Sequence, residues 1–312
     1  MACTSAWASS FCPLQLLANQ GLSPNYSQEL VAFAQVIEEA EPIAMSFFRK
    51  NQAGGNIGVS YKAGDPSDPL SMADLELNEL IISRMKSQFG KDLFVGEESA
   101  RAVSQDDLNR HSRVWYLDPI DGTKHFIEGN AGWTIQMGLV ENGIPVFGIV
   151  YQPVTGLLWF AEKGAGAYEF DVTSGSLRSI HRPSENSRQI PNLITVGSSS
   201  GGLDGEIADV FEKLRIDPDS RFDPGSVGLK VIALIKDQAD LYFADFRKSG
   251  RWDTTAPHVI AVEAGLSVLQ MDPAGRLQWE AKPFDYSQKG DEFRNDFSFA
   301  IGPESVLRAL QQ

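Results

Sequence analysis

Two aspartates three residues apart, Asp118 and Asp121, bracket a Pro119-Ile120 bend in the run WYLDPIDGT. They follow directly on the apolar segment Val114 to Leu117, so a strand would deliver both carboxylates at its exit. Like charges held that close repel unless a cation lies between them. Three further acidic spots lie at element ends: Asp74 in LSMADLELNELI, Glu97 and Glu98 in LFVGEES, and Asp253 in GRWDTTAPHVIAVEAG. Each has an ordinary alternative. Asp74 stands three residues after Ser71 and could close a capping box, Glu97 and Glu98 could form a solvated turn, and Asp253 could cap a helix. As a set they are hard oxygen donors without His or Cys, which suits Mg²⁺ or Mn²⁺ and not zinc.

Two such ions about 3.5–4 Å apart, bridged by a shared carboxylate, can clamp the attacking and leaving oxygens of a phosphoryl group. Gly122 and Thr123 follow Asp121 directly. If they open a short helix, their N–H groups face phosphate oxygens, and the Thr123 hydroxyl can orient a water. Little else competes for a function. Cys3 and Cys12 form no Cys-x-x-Cys pair, and GSSSGGLDG at 197–205 lacks the glycine spacing of a dinucleotide site. His111, His125, His181 and His258 show no metal spacing, and His125 reads as a solvated loop residue. Trp252 reads as a wedge under the helix that carries Asp253.

Those residues need a scaffold that holds strand and helix ends together. Residues 28–49 carry apolar groups at helical spacing, with Pro42 expected to kink or divide the segment; 51–68 read as a turn or hairpin. A second helix is predicted over 72–89, capped by Ser71 and stopped by Gly90. The period then changes to short strands, 114–117, 134–140, 145–151, 157–162 and 167–171, with turn signals such as Asn142-Gly143, as in an antiparallel meander. From about residue 190 the pattern alternates: strand 193–197, helices 205–214 and 226–237, strand 239–245, helix 255–264, strand 266–271. This is a layered α/β architecture. A soft boundary near 180–192 divides it into an α+β half, 27–185, and an α/β half, 186–312.

The 312 residues are 42% hydrophobic and 22% charged, enough for one large unit or two modest ones. A net charge of −14 argues against a nucleic-acid polymer or an anionic membrane surface as partner. No apolar run reaches the roughly 18–20 residues of a membrane span. Residues 1–26 contain no Lys or Arg, do not fit a secretory signal, and are expected to be a poorly ordered extension. With two cysteines in the chain, the expected location is the cytoplasm.

The ordered set of Asp74, GEES, DPIDGT and WDTTAPHVIAVEAG resembles the lithium-sensitive, Mg²⁺-dependent phosphatases of the inositol monophosphatase superfamily, over roughly residues 60–300. The resemblance implies an αβαβα sandwich. It implies that Glu97, Asp118 and the Ile120 carbonyl hold one Mg²⁺. Asp118 then bridges to a second ion held also by Asp121 and Asp253, with Glu97 helping a third, weaker one and Mn²⁺ as a possible substitute. Asp74 and Thr123 match the dyad that deprotonates the nucleophilic water, with Glu98 as support. Attack is in-line by a metal-activated water, without a covalent phosphoenzyme.

Lys124 in DGTK and the segment GSVGLK at 225–230 are similar to the 3'(2'),5'-bisphosphate nucleotidase branch, a branch linked to sulfur assimilation. That likeness implies substrate contacts from Gly122, Thr123, Lys124, Ser226 and Lys230, and hydrolysis of 3'-phosphoadenosine 5'-phosphate to AMP and phosphate. Where that branch carries Arg-Ser-His after a strand, this chain has Ser198, Ser199 and Ser200, with Ser199 as the candidate contact. The change leaves room for an inositol phosphate or a fructose-1,6-bisphosphatase-type sugar phosphate. The partner is thus a small phosphorylated molecule, and the assembly a monomer or homodimer.

Overall fold

Alternation along the run Thr134–Glu141 sets the architecture, because Ile135, Met137 and Leu139 turn to one core while Gln136, Gly138 and Val140 turn to the other. A computed structural model describes residues 25–62, 69–183, 194–196, 212, 222–244, 249–271, 284–290, 292–295 and 297–309. The strands, in chain order, are β1 (Ser60–Tyr61), β2 (Pro69–Leu70), β3 (Leu93–Gly96), β4 (Arg113–Asp121), β5 (Thr134–Glu141), β6 (Ile144–Gln152), β7 (Leu157–Glu162), β8 (Gly166–Asp171), β9 (Ser176–Ile180), β10 (Ile194–Val196), β11 (Leu241–Ala244), β12 (Ser267–Gln270) and β13 (Phe299–Gly302). The helices are α1 (Ser27–Gln52), α2 (Met72–Gln88), α3 (Gln105–Arg110), α4 (Thr123–Ile127), α5 (Val227–Ile235), α6 (Arg251–Glu263) and α7 (Glu304–Ala309).

Strands β3 to β9 form one sheet in chain order. β3 runs parallel to β4, and the remainder is an antiparallel meander. A second sheet has the order β10-β11-β13-β12, with β10 parallel to β11. Helices α1 and α2 cover one face of the large sheet. Helices α5 and α6 fill the space between its other face and the small sheet, while α7 packs on β13. The layered sandwich expected from the sequence is what forms. Among the described residues, no helix is long and apolar enough to cross a membrane.

Two glycines let the middle layer approach. A Cβ at Gly138 would lie 2.4 Å from Thr255 Cγ2, and one at Gly148 would lie 2.5 Å from the Ala256 carbonyl oxygen. Both contacts are shorter than van der Waals distance, so only glycine seats α6 on β5 and β6.

Some boundaries differ from expectation. Pro42 does not divide α1, because burial of Ile37, Ala40, Ala44 and Phe48 on both sides of it outweighs one lost hydrogen bond. β4 continues through Asp118 to Asp121, pairing with Gln136 and Thr134 across a slip in register, so the two carboxylates lie within the strand's end. α6 begins at Arg251, four residues before the predicted start, which places Asp253 in its first turn. Ser199, the predicted helix over 205–214 apart from Glu212, and residues 1–24 lie outside the described residues.

Candidate active site

The slip in β4 gathers the first carboxylates. Ile120 N donates to Asp118 Oδ1 at 3.0 Å, turning the chain between two acids that are 2% and 6% exposed. Asp121 Oδ2 accepts from the Gly228 amide at 3.2 Å, at the amino end of α5. Asp253, in the first turn of α6, accepts from the Gly250 amide through Oδ2. Ligand oxygens of Asp118, Asp121 and Asp253 all lie within 4.8 Å of one another. Two helix amino ends and one strand end therefore converge on three acidic side chains, two of them buried, and the positive ends of the helices lower the cost of that crowding.

The crowding shows in the proton affinities. Burial, with the Asp253 charge next in size, pushes Asp121 up to about 8. Burial and the Glu97 charge push Asp253 up to about 6 and Asp118 well above the ordinary carboxylate range. Among the described residues none of the three makes an ion pair with Lys or Arg. A cation fits this donor set: it is all-oxygen, convergent and largely buried, with no Lys or Arg paired directly to it among the described residues.

Asp74 serves two partners. Ser71 N and Oγ donate to Asp74 Oδ2 at 2.9 and 2.6 Å, the capping box that the sequence allowed. Asp74 Oδ1 faces the Thr123 hydroxyl at 3.4 Å, and that hydroxyl also lies 3.0 Å from the Ile120 carbonyl. Asp74 is 1% exposed; burial raises its pKa to about 6 against the lowering effect of the Ser71 hydrogen bonds. The turn into α4 depends on Gly122, with φ at 91° and no room for a Cβ, which would sit 2.6 Å from the Gly132 carbonyl oxygen.

Glu97 and Glu98 open a 3-10 turn after β3, and both bind one residue that sequence reasoning passed over. Lys62 Nζ lies 2.6 Å from Glu97 Oε1 and 2.7 Å from Glu98 Oε1. Burial works against that ammonium, yet the two carboxylates outweigh it and push its pKa up. Burial and the Glu97 charge raise Glu98 to about 7. A lone lysine before a Gly- and Pro-rich loop carries no motif, so nothing in the sequence signalled Lys62.

The predicted substrate contacts have unequal surroundings. Lys230 is 7% exposed; its ammonium donates to the Gly225 carbonyl and lies 3.3 Å from Asp223 Oδ1. Ser226 is buried and caps α5, its Oγ accepting from Leu229 N and from Thr134 Oγ1, both at 3.1 Å. Lys124 is exposed, 4.0 Å from Glu128. His125 is not the solvated loop residue expected: it lies on α4, with Nδ1 2.8 Å from Asn130 Oδ1 and Nε2 3.7 Å from Asp223 Oδ2. Asp223, also missed from sequence, thus stands between the His125 ring and the Lys230 ammonium, which hold its carboxyl well below the usual range although burial acts the other way.

A layered α/β fold that gathers acidic side chains at strand and helix ends suits one class of protein, the phosphate-ester hydrolases whose carboxylates can hold a cation. Comparison with known proteins places the chain within it. The family model of the inositol monophosphatase family matches residues 26–295, and the chain belongs to that family as one of its phosphatases. The 3'(2'),5'-bisphosphate nucleotidase CysQ of Salmonella typhimurium is 29% identical over 246 residues, 78% of this chain and 89% of CysQ. Inositol monophosphatase 2 of Solanum lycopersicum is 30% identical over 215 residues, 67% of this chain and 76% of the tomato protein. The crystal structure of extragenic suppressor protein SuhB from Bartonella henselae superposes with a TM-score of 0.68 at 22% identity, covering 91% of this chain and 99% of SuhB.

Proposed function

We propose that this phosphatase is a Mg²⁺-dependent 3'(2'),5'-bisphosphate nucleotidase that hydrolyses 3'-phosphoadenosine 5'-phosphate to AMP and phosphate. The observation that carries the substrate class is Lys230. Its ammonium is buried at the amino end of α5, close enough to Asp121 to lower that group's pKa. A cation beside the carboxylate cluster suits a substrate with a second anionic group. Likeness to CysQ over most of both chains supports the same reading.

Asp118, Asp121 and Asp253, joined by Glu97 and the Ile120 carbonyl, would hold Mg²⁺. When bound, Mg²⁺ supplies Lewis-acid polarisation of the phosphoryl oxygens and acidifies water. Thr123 Oγ1 accepts a proton from the attacking water while its own hydrogen passes to Asp74 Oδ1, which the 3.4 Å approach allows to close into a hydrogen bond. The rise of the Asp74 pKa to about 6 suits a base working near neutrality. The Gly122 and Thr123 amides at the start of α4 face the phosphate oxygens, and Lys230 and Lys124 take the second phosphate. Ser226 caps α5 with its oxygen and keeps its hydroxyl hydrogen to donate to a substrate oxygen beside Lys230.

A second reading, an inositol or sugar phosphatase, is favoured by one contact. Asp223 already neutralises Lys230, which weakens its pull on a second phosphate. The experiment is phosphate release from the adenosine bisphosphate with Mg²⁺, with EDTA, and with millimolar lithium. Activity that vanishes with EDTA, falls with lithium and collapses in Asp118→Asn supports the proposal; full activity of Asp118→Asn removes the assignment of the site.

A further inference from the structure

Pro257 lies in the second turn of α6 and has no N–H. The carbonyl it leaves without a helical donor is that of Asp253, four residues earlier, and a proline ring in that position also crowds that carbonyl. The chain supplies a donor from outside the helix. Gln136 Nε2 lies 3.2 Å from the Asp253 carbonyl oxygen and 3.3 Å from that of Trp252. Two carbonyl acceptors on one side fix the amide orientation, since the reverse would set oxygen against oxygen.

The place of Gln136 adds to the point. It is fully buried on β5, directly opposite Asp118 in the ladder, so the two side chains share a face. Among the described residues its Oε1 has no hydrogen-bond partner, and it lies on the α5 side, where a Cβ at Gly228 would be 3.1 Å away. Gly228 is the residue whose amide holds Asp121. One side chain therefore sits between the first turns of α5 and α6, beside the strand residue Asp118. A buried amide left half-satisfied is expensive, and the hydrogen bond to α6 is what this one supplies against that cost.

We propose that Gln136 is a positioning residue of the carboxylate cluster, donating to the Asp253 carbonyl the hydrogen bond that Pro257 cannot and so fixing the turn that aims the Asp253 carboxylate at Asp118 and Asp121. The inference rests on Asp253 being a cation ligand, as read above. Groups that orient metal ligands affect metal affinity by about 10- to 100-fold when removed.

The test is a double-mutant cycle read by Mn²⁺ binding, followed by electron paramagnetic resonance on the full chain. Gln136→Met keeps length and apolar bulk but removes the donor; it weakens Mn²⁺ binding at least ~10-fold while the substrate KM at saturating Mg²⁺ changes little. Pro257→Ala gives α6 its own N–H to the Asp253 carbonyl, and in that background Gln136→Met shifts the Kd by less than about 2-fold. Equal weakening in both backgrounds, or none in either, overturns the proposal. If Gln136→Met alone does not fold, a folded Gln136→Met/Pro257→Ala chain that binds Mn²⁺ normally supports it, and a double variant that also fails to fold overturns it. Asp253→Asn, run alongside, separates the two levels. Loss of Mn²⁺ there with no effect of Gln136→Met rejects only this inference, whereas retention there rejects the reading of Asp253 on which it depends.

Discussion

The Thr123 hydroxyl stands 3.4 Å from Asp74 Oδ1, while the other oxygen of that carboxylate is held by Ser71. One side chain thus closes the first turn of α2 and presents its free oxygen to the start of α4. The capping box locks the Asp74 rotamer, so the oxygen that faces Thr123 is oriented before any substrate arrives.

Asp74→Asn and Thr123→Val should each lower kcat by about 10²–10⁴-fold, the usual scale for a lost proton acceptor or relay. Mn²⁺ binding should stay close to that of the wild type in both, because neither side chain belongs to the group of Asp118, Asp121 and Asp253. Steady-state phosphate release together with Mn²⁺ titration separates this outcome from a general collapse of the site.

Asp118→Asn should move stability in opposite directions with and without metal. Without metal the three clustered carboxyl groups cost energy whether they stay ionised or take up a proton, and replacing Asp118 by a neutral amide relieves on the order of 1 kcal/mol at pH 8. Wild-type protein at a Mg²⁺ concentration about 100 times its Kd should gain about 2.7 kcal/mol, and the variant should gain almost nothing. Urea unfolding at pH 8 with EDTA and with Mg²⁺ reads both effects.

Lys62→Met should destabilise the metal-free chain by about 1–3 kcal/mol at pH 8, since it strands the Glu97 and Glu98 carboxylates that Lys62 bridges. The figure is held below that of a fully buried pair because Lys62 retains 20% exposure. Saturating Mg²⁺ should close part of the gap if a cation reaches Glu97. Equal loss with and without Mg²⁺ would mean that Lys62 alone serves that pair.

His258 gives a pH dependence of known sign. It is buried against Phe284 and Tyr286, and burial lowers its pKa from 6.5 to about 4. Between those values the unfolded chain binds the proton and the folded chain does not, so this group removes stability as pH falls from about 6.5 towards 4. The full shift corresponds to roughly 3 kcal/mol. His258→Leu should therefore lose less stability than wild type between pH 7 and pH 4.5 in matched urea titrations.

The sequence displayed what local chemistry determines. Ser71-x-x-Asp74 is a capping signature, DPIDGT announces a strand end with two acids, and the short strands around the Asn142-Gly143 turn read as a meander. Residues whose role depends on distant partners carried no such signal. Lys62 meets Glu97 and Glu98 across 35 and 36 positions, and Gln136 meets Asp253 across 117. A glutamine in a strand and a proline in a helix look like unrelated irregularities until packing brings them together. The extension of β4 to Asp121 was hidden for a similar reason: Pro119 suggested a break, and only pairing with Thr134 past a slip in register keeps the strand going.

Substrate choice tests the central claim most directly. At matched concentrations with Mg²⁺, the wild-type chain should hydrolyse 3'-phosphoadenosine 5'-phosphate with a kcat/KM at least about tenfold above that for inositol 1-phosphate or fructose 1,6-bisphosphate, a difference of roughly 1.4 kcal/mol in transition-state binding. Lys230→Met should erase most of that preference while leaving slow hydrolysis of the monophosphate. A higher kcat/KM on inositol 1-phosphate, unchanged by Lys230→Met, would contradict the account.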